Sequence, residues 1–221
     1  MAEAYQTTAF QTGEVIIGKD AKIDPNVVLG YKTGRKIDDY TLRIGDGAAI
    51  RCNTVIYGGT TIGSGLQTGH GVTIREQNEI GDNFNLWNCS TIDYGCKIGN
   101  NIKIHCNCYI AQFTVIEDNA FMAPGVTIAN DLHPGCQFSQ PCMKGPHIEE
   151  GVEIGVNVTI LPFVRIGAHS VIGSGAVINK DVPPGSVVVG NPGRVICGIH
   201  DLKCSTGLTD RPYSHVIMGI E

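Results

Sequence analysis

Residues 98–128 read "IGNNIKIHCNCYIAQFTVIEDNAFMAPGVTI". An aliphatic side chain or methionine returns every sixth residue, at Ile98, Ile104, Ile110, Ile116, Met122 and Ile128. Followed back, the column continues through Ile92, Leu86, Ile80 and Ile74 to Ile62, Ile56, Ile50 and Ile44, with Thr68 its one miss. Residues 130–145, "NDLHPGCQFSQPCMKG", interrupt it. It then resumes two residues out of phase at Ile148, Ile154, Ile160, Ile166, Ile172 and Ile178. A helix needs apolar residues at a spacing of about 3.6 and a strand at about 2, so a period of six suits neither alone. It suits a parallel β-helix of stacked hexapeptides.

Two further columns support this reading. Two residues before the aliphatics lie Ala48, Thr54, Thr60, Leu66, Val72, Asn78, Phe84, Ser90, Cys96, Ile102, Cys108, Thr114, Ala120 and Val126, mostly small or β-branched. On an extended chain, residues two apart face the same side, so both columns point inward. Three residues after the aliphatics lie the corners: Gly47, Gly65, Asn83, Asn101 and Asn119 in one, and Asn53, Gly71, Cys89, Asn107 and Gly125 in the second. The third reads Gly59, Gln77, Gly95 and Phe113. Glycine and asparagine tolerate the positive φ that a tight corner demands. The expected fold is therefore all-β: a triangular prism with three hexapeptides per coil.

This divides the chain into a prism over residues 1–196 and a tail over 197–221. Two insertions are expected in the prism, at about 31–43, within "GYKTGRKIDDYTLR", and at 129–147. The 221 residues are 42% hydrophobic with 29 Gly, which is periodic rather than disordered. The net charge of −5 offers no basic footprint for nucleic acid. No apolar run is long enough to cross a bilayer, and "MAEAYQTTAF" lacks a secretory pattern. Nine cysteines, odd in number and without a CxxC pair, fit free thiols in a reducing cytoplasm.

The segment "IGVNVTILPFVRIGAHSVIGSGAVINKDVPPGSVVVGNPGRVI" resembles the cofactor-binding end of the hexapeptide-repeat acyltransferases. These are left-handed parallel β-helix enzymes, usually homotrimers, that use acetyl-CoA. "IGNNIKIHCNCYIAQFTVIEDNAFMAPGVTIANDLHP" is most similar to the sugar-nucleotide N-acetyltransferases. The resemblance implies acetyl transfer to a small-molecule sugar, first of all to the amine of a nucleotide-linked amino sugar. O-acetylation of a saccharide or small hydroxyl acceptor is the alternative. Two departures are visible: Phe163 stands in Pro162-Phe163-Val164 where relatives have glycine, and Gly193 where alanine is common.

The same resemblance assigns roles. His133 in "NDLHP" matches a loop His-Pro whose imidazole acts as base, and His105 is a second catalytic or sugar-contacting candidate. Asn107, Asn130 and Asp131 are candidates for substrate binding. Asn157, Thr159, Lys180 and Arg194 are candidates for acetyl-CoA, the last two through its phosphates. Each has a plainer reading: Asn107 and Asn157 occupy corner slots, Asn130 and Asp131 suit a turn, and a loop histidine or surface cation is commonplace. His133, Cys136 and Cys142, with Cys204, invite a zinc reading, but their spacing matches no familiar pattern, so no metal is expected. A zinc site of carbonic-anhydrase type from His70, His105 and His133, or a non-catalytic trimeric scaffold, are the remaining alternatives.

Overall fold

A computed structural model describes residues 10–214. The amino-terminal "MAEAYQTTA" and residues 215–221 of the tail lie outside the described residues. Three parallel sheets, with nine, eight and ten strands, form the faces of a prism. Sheet A runs from Phe10–Gln11 through Tyr109–Ile110 to Val177–Ile178. Sheet B runs from Val15–Ile17 to Arg165–Ile166, and sheet C from Lys22–Ile23 to a closing antiparallel pair, Ser186–Val189 and Arg194–Gly198. The chain visits A, B and C in turn, and each strand pairs with the one a coil later, as in Thr73↔Thr91 and Glu79↔Lys97.

Two-residue strands form because nearly every hexapeptide sets one inward aliphatic beside an outward residue, polar in Thr73–Ile74, Glu79–Ile80 and Lys97–Ile98 and apolar in Val115–Ile116 and Val177–Ile178. Ile56, Ile74, Ile92 and Ile110 are fully buried, and so are Val72, Phe84, Cys96 and Ile102 of the second column. Thr68 is buried too, and its hydroxyl is satisfied by the Arg51 amide at 2.9 Å and the Thr54 hydroxyl at 3.3 Å. Every corner residue read from the sequence, Gln77, Cys89 and Phe113 included, has positive φ. At the corner between B and C, asparagines bond up the stack, Asn83 to Asn101 at 3.0 Å and Asn101 to Asn119 at 3.1 Å.

Both insertions leave the prism at the corner between sheets A and B. The first follows Val28–Tyr31 and returns at Leu42–Ile44, so that Val15 pairs with Leu42. The second follows Thr127–Ile128 and returns at His147–Ile148, so that Val115 pairs with His147, while its neighbour Tyr109 on sheet A still pairs with Thr127. The surplus is the stretch 131–144. Without it the chain would read Ile128-Ala129-Asn130-Gly145-Pro146-His147-Ile148, an intact hexapeptide. The surplus exceeds two whole hexapeptides by two, and that remainder is the phase slip seen in the sequence, so the prism itself does not shift. No described helix is long and apolar enough to cross a membrane.

Candidate active site

The second insertion is a small self-bonded loop. The Asp131 carboxylate accepts from the His133 amide at 2.9 Å and from the Ser139 hydroxyl. Those bonds, with the Ser139 hydroxyl first, hold it below the usual carboxylate range. The Cys136 amide donates to the His133 carbonyl at 3.0 Å, and a short 3₁₀ turn follows over Gln140–Cys142. His133 is thus fixed through its backbone, while its exposed imidazole has no hydrogen bond among the described residues. Leu132 and Phe138 are also exposed, at 48% and 60%.

The neck of the loop is pinned. The Lys144 amide donates to the Asn130 carbonyl at 2.9 Å, and the Asn130 side-chain amide donates to Gln112 Oε1 at 2.6 Å. Asn130 is half-buried, and Gly145 lies so close to Thr114 that an added Cβ would sit 2.4 Å from its nitrogen. Phe113 and Phe163 flank that glycine on the same corner, both partly exposed at positive φ, with Lys144 Nζ 5.9 Å from the Phe163 ring centroid.

His105 and Asn107 lie on a different corner, between sheets C and A. His105 is half-buried edge-on against Phe121, with ring centroids 5.3 Å apart. Burial first, and then the Lys103 charge, push its pKa below the ordinary 6.5. Asn107 turns its corner at φ +58, and Asn157 does the same two coils further on at φ +55. Within one chain the structure therefore gathers Asn130, Asp131 and His133 at one corner and His105 and Asn107 at another, and does not join the two groups. Thr159 lies on the outer side of sheet A in the Thr159–Ile160 strand. Lys180 is exposed just past Val177–Ile178, and Arg194 is exposed beside Gly193, whose amide donates to the Val177 carbonyl at 2.8 Å. These four candidates occupy the later coils.

His70 shares the His105 corner and pairs with Cys52, Sγ to Nδ1 at 2.9 Å, far from the loop in sequence and on another edge of the prism. Among the described residues, no three of His, Cys, Asp and Glu are arranged to hold a metal ion. An open groove of about 830 Å³ crosses the face of sheet B, lined by Glu79, Lys97, Glu117, Asp118 and Glu150 among others. Its excess of carboxylates would repel an anionic coenzyme, and it holds none of the residues singled out above.

Beside the loop lie buried charges that the six-residue period does not mark. Glu76 is fully buried and Asp93 nearly so, bonded to Arg75 at 2.9 and 3.0 Å. The signal was there: opposite charges one coil apart in sequence, as Arg75 and Asp93 are, fall on neighbouring coils.

Residues 95–130 and 145–180 match the bacterial transferase hexapeptide model of six repeats, and the gap between them coincides with the inserted loop. The chain is 40% identical over 119 residues to the galactoside O-acetyltransferase of Escherichia coli (strain K12), covering 47% of this chain and 57% of that protein. It is 33% identical over 141 residues to the galactoside O-acetyltransferase of Lactococcus lactis subsp. lactis (strain IL1403), covering 58% and 66%. It thus spans between about half and two thirds of the length of the curated relatives it matches. The structure of the UDP-N-acetylglucosamine O-acyltransferase from Moraxella catarrhalis RH4 superposes with a TM-score of 0.64 at 21% identity, over 88% of this chain and 74% of that one. That likeness establishes the fold as a left-handed parallel β-helix. With its repeat, corners and three-sheet prism all in agreement with these matches, the chain is a member of the hexapeptide-repeat acyltransferase family.

Proposed function

We propose that the protein transfers an acetyl group from acetyl-CoA to a sugar hydroxyl, with His133 as general base. The observation that carries this reading is the His133 imidazole, held out at a fixed position by a loop inserted into an otherwise intact hexapeptide. Attack by a hydroxyl on a thioester needs a group to take its proton as the new C–O bond forms. A neutral imidazole on a braced backbone can do that, and the base returns its proton to the departing CoA sulfur. An amine can lose its proton before it attacks and needs the base less. The curated relatives named above are O-acetyltransferases, which also favours the hydroxyl over the amine that the sequence resemblance put first.

Lys180 and Arg194 are the groups we assign to the CoA phosphates, with Asn157 and Thr159 along the pantetheine path. His105 and Asn107 are assigned to the acceptor sugar. Because they stand on a different corner from His133, they can meet it only between chains. A cyclic homotrimer of parallel prisms brings one chain's loop against the next chain's corner between sheets C and A. It would also cover Leu132 and Phe138, which a single chain leaves in water. We place the reaction in the cytoplasm, where acetyl-CoA and nine free thiols coexist.

The test is a panel of galactosides, other saccharides and nucleotide-linked amino sugars incubated with acetyl-CoA. Acetylated product is followed by mass, since the protein's own cysteines compete with thiol reagents. Acetylation of hydroxyl acceptors supports the proposal. Acetylation confined to amino sugars would move it to the N-acetyl reading, and no product with any acceptor would count against both.

A further inference from the structure

A continuous line of polar side chains runs along the corner between sheets A and B, from the first insertion to the neck of the second. Thr33 Oγ1 donates to Glu76 Oε1 at 3.0 Å, and Arg35 lies 3.8 Å from the same oxygen while its guanidinium stacks on the Tyr94 ring at 3.4 Å. Glu76 accepts from Arg75 at 2.9 Å. One coil on, Asp93 accepts from Arg75 at 3.0 Å, from the Tyr109 hydroxyl at 2.7 Å and from Gln112 Nε2 at 2.6 Å. Gln112 then accepts from Asn130 at 2.6 Å, and Asn130 closes the loop neck through Lys144.

The order of donors and acceptors gives this line a direction. An ionised carboxylate only accepts, so Asp93 obliges Gln112 to present its NH₂ group. The Gln112 carbonyl is left facing the neck, where it can be answered only by a donor, the NH₂ of Asn130. Buried charges stay ionised when paired, and here Arg75 pairs with Glu76 and Asp93 together. We propose that Asp93 and Gln112 are positioning residues: a fixed carboxylate, relayed through one amide, sets the orientation of Asn130 and so of the loop that carries His133. The link to catalysis rests on the reading that this loop serves the acceptor site.

Gln112→Glu tests the relay. At neutral pH the introduced carboxylate faces Asp93 and has nothing to donate, so the neck should open. Amide exchange at Lys144, Cys136 and Cys142 should rise at least tenfold over the parent. Amides of the Thr73–Ile74 and Thr91–Ile92 strands should not change. Acetyl transfer should fall in kcat with the KM for acetyl-CoA unchanged.

Acidification should reverse this. A protonated carboxyl donates to Asp93 and still accepts from Asn130, as the glutamine does. The introduced group should take up its proton above the ordinary ~4.3 because a carboxylate opposes it. The other groups facing it are the Tyr109 hydroxyl and Arg75 on Asp93, with Glu76 beyond Arg75. The ratio of variant to parent exchange should therefore return toward one as pH falls. Tyr109→Phe removes a different donor from Asp93 and should leave loop exchange as in the parent. Should Gln112→Glu not fold, Asn130→Ala must release the same loop amides, without recovery in acid.

Parental loop protection in Gln112→Glu at neutral pH, or a release that acid does not reverse, would overturn the relay. Release and recovery with acetyl transfer unimpaired would leave the relay standing and overturn the loop's place in the acceptor site.

Discussion

The backbone amide of Lys144 donates to the carbonyl of Asn130 at 2.9 Å, so the second loop enters and leaves the prism through one closed gate. Residues 131–144, Lys144 included, are additional to a complete hexapeptide. Deleting residues 131–144 should therefore preserve the prism. The expected outcome is an unchanged strand spectrum and a melting temperature within a few degrees of the parent, with acetyl transfer abolished. Loss of cooperative unfolding would mean that the loop is part of the prism's stability.

Phe163 turns its corner at φ +66, where most corner slots carry glycine or asparagine. A β-carbon in this region costs roughly 1–2 kcal/mol, and asparagine bears it best. Phe163→Asn should raise stability by about 1 kcal/mol, and the opposite change, Asn53→Phe at φ +62 on another corner, should lower it by a similar amount. Denaturant midpoints measure both. If neither moves, corner strain does not shape this fold.

How far the sequence could be read follows from what the period encodes. The inward Ile column and the corner column of Asn53, Gly71 and Asn107 are local necessities repeated in every coil, so one chain shows them many times over. The loop around His133 was visible as a break in that period. Glu76 was not legible, because a glutamate at a corner is ordinarily solvated and becomes buried only when the first insertion, with Thr33 and Arg35, folds over it. Nor was the separation of His133 from His105 evident until the inserted stretch 131–144 was subtracted and each histidine was assigned to its corner.

The nine thiols should differ sharply in reactivity. The Thr206 hydroxyl, 2.8 Å from the sulfur, and then the Thr206 and Leu208 amides lower Cys204 to about 7. Burial raises Cys96 to about 12. The thiolate is the nucleophile, so iodoacetamide near neutral pH should label Cys204 first and Cys96 last. Thr206→Ala should slow Cys204 several-fold. Mass spectrometry of timed digests gives the order, and equal rates at Cys204 and Cys96 would refute the assignment.

His105 should titrate below 6.5, with burial the larger cause and Lys103 the smaller. Phe121→Ala should accordingly raise its midpoint more than Lys103→Gln does, as read from imidazole proton shifts. The folded pKa lies below the unfolded one, so the unfolded chain binds more protons in this range. The contribution of His105 to stability is therefore present above 6.5 and is lost as pH falls. A midpoint above 6.5 would contradict the packing of the ring on Phe121.

The proposed role of His133 is to take the proton from the acceptor hydroxyl. The most direct measurement is the steady-state rate of acetyl transfer by His133→Ala, beside its binding of acetyl-CoA. The rate should fall roughly 10²–10⁴-fold with acetyl-CoA affinity unchanged, because Asn157, Thr159, Lys180 and Arg194 stand on the later coils. Near-parental activity in His133→Ala, with activity abolished in His105→Ala or Asn107→Ala, would contradict it.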